Sequence, residues 1–252
     1  MILLKDEDEL RYLRESNHIV AQTLELLARH LQPGITTAEL DRLAEDFICR
    51  QGGRPAFKGY RGFPASACIS INDQVVHGIP GPRKVRNGDI VSIDIGVLKH
   101  GFYGDAAATF PAGNVPPAAR KLMQVTRESL SRGIDQLQAG NRLSDYSRTV
   151  QQYVERHGCS VVRDFVGHGI GRSLHEEPQI PNFYLPSTFD LRLKPGMVMS
   201  LEPMVNQGSW KVRVLKDGWT AVTRDGSLSA HYEHTVAITE DGPWILSALD
   251  GD

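Results

Sequence analysis

The chain carries a copy of part of itself. Residues 31–53, LQPGITTAELDRLAEDFICRQGG, align without a gap on residues 137–159, LQAGNRLSDYSRTVQQYVERHGC, at an offset of 106. The identities fall at Leu31/Leu137, Gln32/Gln138, Gly34/Gly140, Arg42/Arg148, Arg50/Arg156 and Gly52/Gly158. Further along each copy, GDIVSID (88–94) recurs as GMVMSLE (196–202) at an offset of 108. Two gapless alignments at nearly equal offsets imply a duplicated α+β unit. Two copies are too few for a solenoid. The expected architecture is therefore one domain over 1–252 whose halves, about 1–114 and 115–252, share a mostly antiparallel sheet across a pseudo-two-fold axis. A site on that axis draws on both halves.

Local patterning fills in the repeated unit. Leu10, Leu13, Val20, Leu24, Leu27 and Leu31 share one helical face from Glu9 to Leu31, and Pro33-Gly34 ends that helix. Thr36 and Glu39 form a capping-box signature ahead of a second amphipathic helix, with Leu40, Leu43, Phe47 and Ile48, that stops at Gly52-Gly53. After Pro116-Pro117 the pattern restarts, with a helical stretch to Leu137 and another to His157. Between and after the helix pairs come strands and turns.

Charge excludes one class of partner: 28 basic and 30 acidic residues are mixed along the chain, leaving no basic stripe for nucleic acid. Three scattered cysteines, Cys49, Cys68 and Cys159, make neither a disulfide framework nor a zinc motif. No run approaches the ~18 apolar residues of a membrane helix, so a soluble cytoplasmic protein is expected.

The repeated strand carries an acid among β-branched neighbours: Asp94 in the first copy, Glu202 in the second. A turn at Lys99-His100-Gly101 returns the chain through GFYGDAAATF. With a two-residue loop at Lys99-His100, or a four-residue loop from Leu98 to Gly101, paired positions sum to 199 and Asp94 faces Asp105. The second half adds Glu233 from the strand SAHYEHTVAIT. Facing carboxylates in an apolar sheet are destabilising unless one is protonated or a cation lies between them. Four of them carry −4, which two divalent cations neutralise. Paired metals in an oxygen-rich site are the arrangement of two-metal hydrolysis, and four hard oxygens with one imidazole accept cobalt, manganese, iron or zinc.

Three histidines sit with Gly or Pro in loops in step with the acids: His77 in VVHGIP, and His168 and His175 in GHGIGRSLHEEP. His77 and His175 each head a His-x-x-Pro, so they form a symmetric pair suited to face the substrate as donors or proton carriers. His168 has no counterpart in the duplication and is the metal ligand expected of the three.

These motifs, with SINDQVVHGIP, VSIDIGVLKHGFYGDAAATF, SLEPMV and DGWTAVTRDGSLSAHYEHTVAIT, resemble those of the type I methionine aminopeptidases over essentially the whole chain. The resemblance implies a pita-bread fold and hydrolytic removal of the initiator methionine when the second residue is small. By it, Asp94 chelates one of two metals, Asp105 and Glu233 bridge both, and His168 and Glu202 bind the other. It also implies that His175 steadies the oxyanion, that Glu202 shuttles the proton, and that His77 lies beside the substrate's amine or scissile nitrogen. Tyr60, Phe63, Cys68 and Trp219 map onto the pocket for the methionine side chain, where aromatic and sulfur groups suit a thioether. A monomer acting on nascent chains at the ribosome is the family expectation.

Two positions depart from the common bacterial pattern: Phe57 stands where a Cys is frequent, and Leu174 where an aromatic residue precedes HEEP. Nothing in the chain corresponds to the cysteine-rich extension of eukaryotic relatives. The 27 residues from His175 to Glu202 leave no room for the helical insertion of type II enzymes. Two rivals share the fold. An aminopeptidase P or prolidase shares the five ligands and usually carries an extra N-terminal domain, for which the helices before Tyr60 leave no space. A metal-free scaffold would have no need of five intact ligand positions and both histidines.

Overall fold

A computed structural model describes residues 2–184, 186 and 190–249. Each half opens with two helices: α1 (Glu7–His30) and α2 (Thr37–Arg50), then α3 (Pro117–Ile134) and α4 (Leu143–Arg156). Capping chemistry sets their starts. Thr36 and Glu39 close the expected capping box, and Asp6 with Glu9 closes a second one, which starts α1 two residues before Glu9. Pro117 occupies the first turn of α3, where its missing N–H costs nothing. That helix stops at Ile134, short of Leu137, which closes a turn by donating its N–H to the Ile134 carbonyl.

The strands that build the site are β1 (Ala67–Ile71), β2 (Ile90–Lys99), β3 (Phe102–Pro111), β4 (Gly167–Gly169), β5 (Glu176–Ile180), β6 (Val198–Leu201), β7 (Met204–Asn206), β8 (Ser229–His231), β9 (Glu233–Thr239) and β10 (Gly242–Ile245). One nine-stranded sheet spans both halves in the order β1-β2-β3-β9-β6-β4-β5, with Arg54–Pro55 also on β2 and β10 on β9. All of these pairings are antiparallel. The halves meet where β3 pairs β9 at Glu233↔Ala107 and His234↔Ala106.

Each half buries its own apolar cluster. Leu27, Leu40 and Ile48 of the first helix pair pack with Ile69, Ile93 and Ile95. Leu122, Tyr146 and Val150 of the second pack with Met199, Leu201 and Val236. The acid-bearing strands thus have helices behind them and a cleft in front.

One register differs from expectation. The β2–β3 turn is centred on His100 and Gly101, both with positive φ (52° and 79°), so paired positions sum to 201 and Lys99 faces Phe102. A tight hairpin of this hand needs φ > 0 at both central residues, and glycine takes the second position without cost. Asp94 therefore faces Ala107, and Asp105 faces Gly96. The two acids are diagonal neighbours on one face.

Candidate active site

Ala107 is the hinge of the site's geometry. It is the ladder partner of Asp94 on one side and of Glu233 on the other, so a methyl group separates two carboxylates in one cross-strand row. Asp105 lies two residues along β3 on the same face. Its backbone is pinned from both sides: Asn17 Oδ1 of α1 accepts from its N–H at 3.2 Å, and Thr235 Oγ1 donates to its carbonyl at 2.7 Å. Glu202 follows β6 directly, one residue beyond the Leu201↔His234 pair. Asn182 holds it by donating to its carbonyl (3.2 Å) while accepting from the buried Tyr146 hydroxyl of α4 (2.6 Å).

His168 enters from β4, paired with Ser200. Glycines flank it of necessity, since a Cβ on Gly167 would sit 2.3 Å from the Ser200 carbonyl oxygen and one on Gly169 2.2 Å from that of Glu177. Its Nδ1 lies 3.0 Å from the Gly169 carbonyl oxygen and so carries the ring proton. Nε2 is left as a lone pair, 3.8 Å from Asp105 Oδ2 and 3.6 Å from Glu202 Oε1. A lone pair facing carboxylates is repulsive unless a cation lies between them. Asp105, His168 and Glu233 each place a ligand atom within 4.8 Å of the others.

Burial and mutual repulsion dominate the electrostatics. Asp94 is held well above the usual carboxylate range by burial and then by Glu233. Asp105 is raised by burial, Glu233, Asp94 and Glu202, and Glu202 by burial, Glu233 and Asp94. Burial lifts Glu233 to about 7 although Ser200 Oγ donates to it. Burial and then His175 lower His168 to about 4. Asp94 Oδ1 and Asp105 Oδ1 are buried with no hydrogen-bond partner among the described residues. Two carboxylates about 4 Å apart repel by about 4 kcal/mol even at an effective dielectric near 20. Buried orphan oxygens, crowded anions and an aimed imidazole lone pair together fit divalent cations.

The cluster opens into a cavity of about 170 Å³ that also touches His77, His175, Tyr60, Phe63, Cys68 and Trp219, so every residue singled out from sequence lines it. Cys68 pairs with Asp94 across β1–β2 and joins the apolar end to the acids. Phe63 and Trp219 meet edge to face at 5.1 Å between ring centroids, and Trp219 stands against His77 at 6.3 Å. Phe57 and Leu174 complete the wall. Burial and then His175 hold His77 down to about 4. His175 is lowered by burial and Arg61, and the Tyr60 hydroxyl lies 2.9 Å from its Nδ1. A larger groove of about 520 Å³ along α1 and Trp244 holds no comparable set of groups.

Sequence reasoning passed over Arg61, which lines the cavity, and Ser200, which supports Glu233. Ser200 was signalled by the repeat, where it matches Ser92; Arg61 had no signal.

The metallopeptidase family M24 model matches residues 11–240. A methionine aminopeptidase of Clostridium perfringens is 55% identical over 249 residues, covering 99% of this chain and 100% of that protein. The crystal structure of methionine aminopeptidase from Thermotoga maritima superposes with a TM-score of 0.96 at 44% identity, covering 99% of this chain and 100% of that one. A prolidase from Pyrococcus furiosus, at 20% identity and a TM-score of 0.79 over 98% of this chain and 66% of that one, shares the fold. With its curled antiparallel sheet, four helices and acid-lined cleft, this chain belongs to metallopeptidase family M24 and has its pita-bread fold.

Proposed function

We propose that this protein is a metal-dependent aminopeptidase that removes the N-terminal methionine from new chains whose second residue is small. One observation carries the reading: the carboxylate and imidazole cluster shares one cavity with an aromatic and sulfur wall of Tyr60, Phe63, Cys68 and Trp219. The relatives named for this activity support it.

In this reading the whole chain is one catalytic domain. Asp94, Asp105, His168, Glu202 and Glu233 would hold the divalent cations. When bound, such a pair supplies Lewis acidity and a water that ionises near neutral pH. The protein's own groups do the rest. Tyr60, Phe63, Cys68 and Trp219 enclose the methionine side chain. His77 steadies the substrate's amine or scissile nitrogen, and His175 donates to the carbonyl oxygen as negative charge develops there. Glu202 accepts the proton of the attacking water and returns it to the leaving nitrogen. Cobalt, manganese, iron or zinc fits the donor set. The enzyme acts as a monomer in the cytoplasm, meeting nascent chains at the ribosome.

The test is release of free methionine from Met-Ala-Ser and Met-Leu-Ser by chelated protein reloaded with each metal, with Glu202→Ala as control. Metal-dependent cleavage of the first peptide only, lost in the variant, is the expected result. Cleavage confined to peptides with proline second and no methionine first would transfer the protein to the prolidase class. No hydrolysis by folded, metal-loaded protein would leave a binding scaffold.

A further inference from the structure

Tyr60 belongs to the methionine-pocket set, yet its position is specified by more than a pocket wall requires. It opens a single 3₁₀ turn, Tyr60–Gly62, whose neighbours Gly59 and Gly62 have φ of 84° and 90°. Arg61, between them, is also left-handed at φ 48°, a conformation uncommon for a residue with a Cβ. Four backbone bonds close the loop on itself: Gly59 N–H to Phe63 O, Tyr60 N–H to Phe57 O, Gly62 N–H to Gly59 O and Phe63 N–H to Tyr60 O, all between 2.8 and 3.2 Å. This loop from the first half delivers one phenol to one imidazole of the second. The Tyr60 ring stacks on His175 at 5.4 Å between centroids and 23°, with its hydroxyl 2.9 Å from Nδ1. His168 packs on the same imidazole at 4.2 Å.

A neutral imidazole has one N–H and one lone pair, and the partner at one nitrogen decides which is which. A phenol is a good donor to an imidazole lone pair. We infer that Tyr60 is a positioning residue for His175: its hydroxyl donates to Nδ1, keeping the ring proton on Nε2, from which it can be donated to the substrate carbonyl oxygen. The inference rests on the role given to His175 above. It adds a second duty to Tyr60, since the same side chain walls the cavity with its ring and sets the tautomer with its oxygen. The two duties separate chemically, because Tyr60→Phe removes only the oxygen.

The experiment has two readouts on zinc-loaded, full-length protein. The first is the ¹⁵N spectrum of the His175 ring, assigned by its loss in His175→Ala. The expected wild-type pattern is a protonated Nε2 and an unprotonated Nδ1, giving way to a tautomer mixture in Tyr60→Phe. The second readout is kinetic. Tyr60→Phe should lower kcat for Met-Ala-Ser about 10-fold while KM stays within about two-fold, as is typical when an orienting partner is lost and the binding surface kept. Tyr60→Leu, which also removes the ring, should raise KM in addition. A wild-type ring protonated on Nδ1 overturns the inference, as does a Tyr60→Phe enzyme with unchanged kcat and an unchanged His175 spectrum. If the wild type releases no methionine with any metal, the proposed function fails, and the nitrogen spectra alone decide the Tyr60–His175 relation.

Discussion

The two halves of the molecule keep the same frame and fill it differently. Where β3 meets β8 and β9, Thr109 Oγ1 donates to the His231 carbonyl at 2.8 Å, and its symmetry mate Thr235 donates to the Asp105 carbonyl at 2.7 Å. The repeat equates Asp94 with Glu202, and the ladders carry the equivalence outward. Ser92 pairs with Thr109 and Ser70, and Ser200 with Thr235 and His168. By this reckoning Ala107 stands where the second half has Glu233, His231 where the first half has Asp105, and Ser70 where the second half has His168. The backbone and its threonine clasps are symmetric. The proposed ligands are not, with Asp94 and Asp105 from the first half and His168, Glu202 and Glu233 from the second. Symmetry brings the groups to one axis, and departures from it gather the acids and His168 on one side of the seam.

The sharpest way to break this comparison is to make the second half resemble the first. His168→Ser copies Ser70, whose Oγ accepts from the Gly78 N–H. It removes the one nitrogen donor of the proposed ligand set while a hydroxyl keeps the ladder position polar. Metal content after dialysis should fall below two ions per chain, and methionine release should drop by about 10³-fold. Retention of both would show that His168 is dispensable to the cluster.

Much of this was legible in the chain itself, for definable reasons. The repeat survives in sequence because helices and ladder strands need the same apolar pattern in both copies, as Leu40/Tyr146, Phe47/Tyr153 and Ile48/Val154 show. Asp94 and Glu202 stood out because a carboxylate within an apolar run has to be explained. The pairing of Asp94 with Asp105 was misplaced because register depends on which two residues carry positive φ, and a Lys-His-Gly turn leaves that choice to the fold. Glu233's place across from Ala107 was out of reach for a related reason. It depends on a contact between strands some 120 residues apart, which no local pattern encodes.

Reversing the direction, Ala107→Glu gives the first half the acid that the second possesses. A fifth carboxylate then enters the row between Asp94 and Glu233. Repulsion of about 4 kcal/mol per close pair at an effective dielectric near 20 should leave the chelated protein largely unfolded in urea titrations where the parent is folded. Excess divalent ion should recover part of the loss. Equal stability with and without metal would remove crowding as the reason for an alanine at this position.

A milder perturbation leaves the sequence alone and titrates the metal-free protein. Asp94, Asp105, Glu202 and Glu233 have folded pKa values above their unfolded ones, Glu233 at about 7, so the folded state binds more protons through this range. Their contribution to stability is therefore lost as pH rises. The buried histidines His77 and His168, lowered to about 4, His231, lowered to about 3, and His175, also lowered, oppose this until their unfolded forms have lost their protons, about one pH unit above 6.5. Above about pH 7.5 the carboxylates set the slope. The chelated protein should lose about 1.4 kcal/mol per pH unit for each extra proton bound, read from unfolding midpoints. Glu233→Gln should flatten the slope. A slope of the opposite sign would mean that the acids ionise freely without metal.

The smallest effect is the most discriminating, because it compares two serines that the repeat makes equivalent. Ser200 Oγ donates to Glu233, whereas Ser92 Oγ lies 2.8 Å from Thr109 Oγ1, its diagonal neighbour on the next strand being Ala107 in place of an acid. The same residue thus holds a buried carboxylate in one half and closes a hydroxyl pair in the other. Ser200→Ala should weaken metal binding and activity about 10-fold, as loss of a group orienting a metal ligand typically does. Ser92→Ala should leave both unchanged and cost about 1 kcal/mol of stability, the worth of one buried hydrogen bond. Metal titration and urea unfolding of the two variants side by side decide the matter. Equal effects on metal affinity would mean that Ser92 also supports the cluster, and the asymmetry between the halves would then lie in the ligands alone.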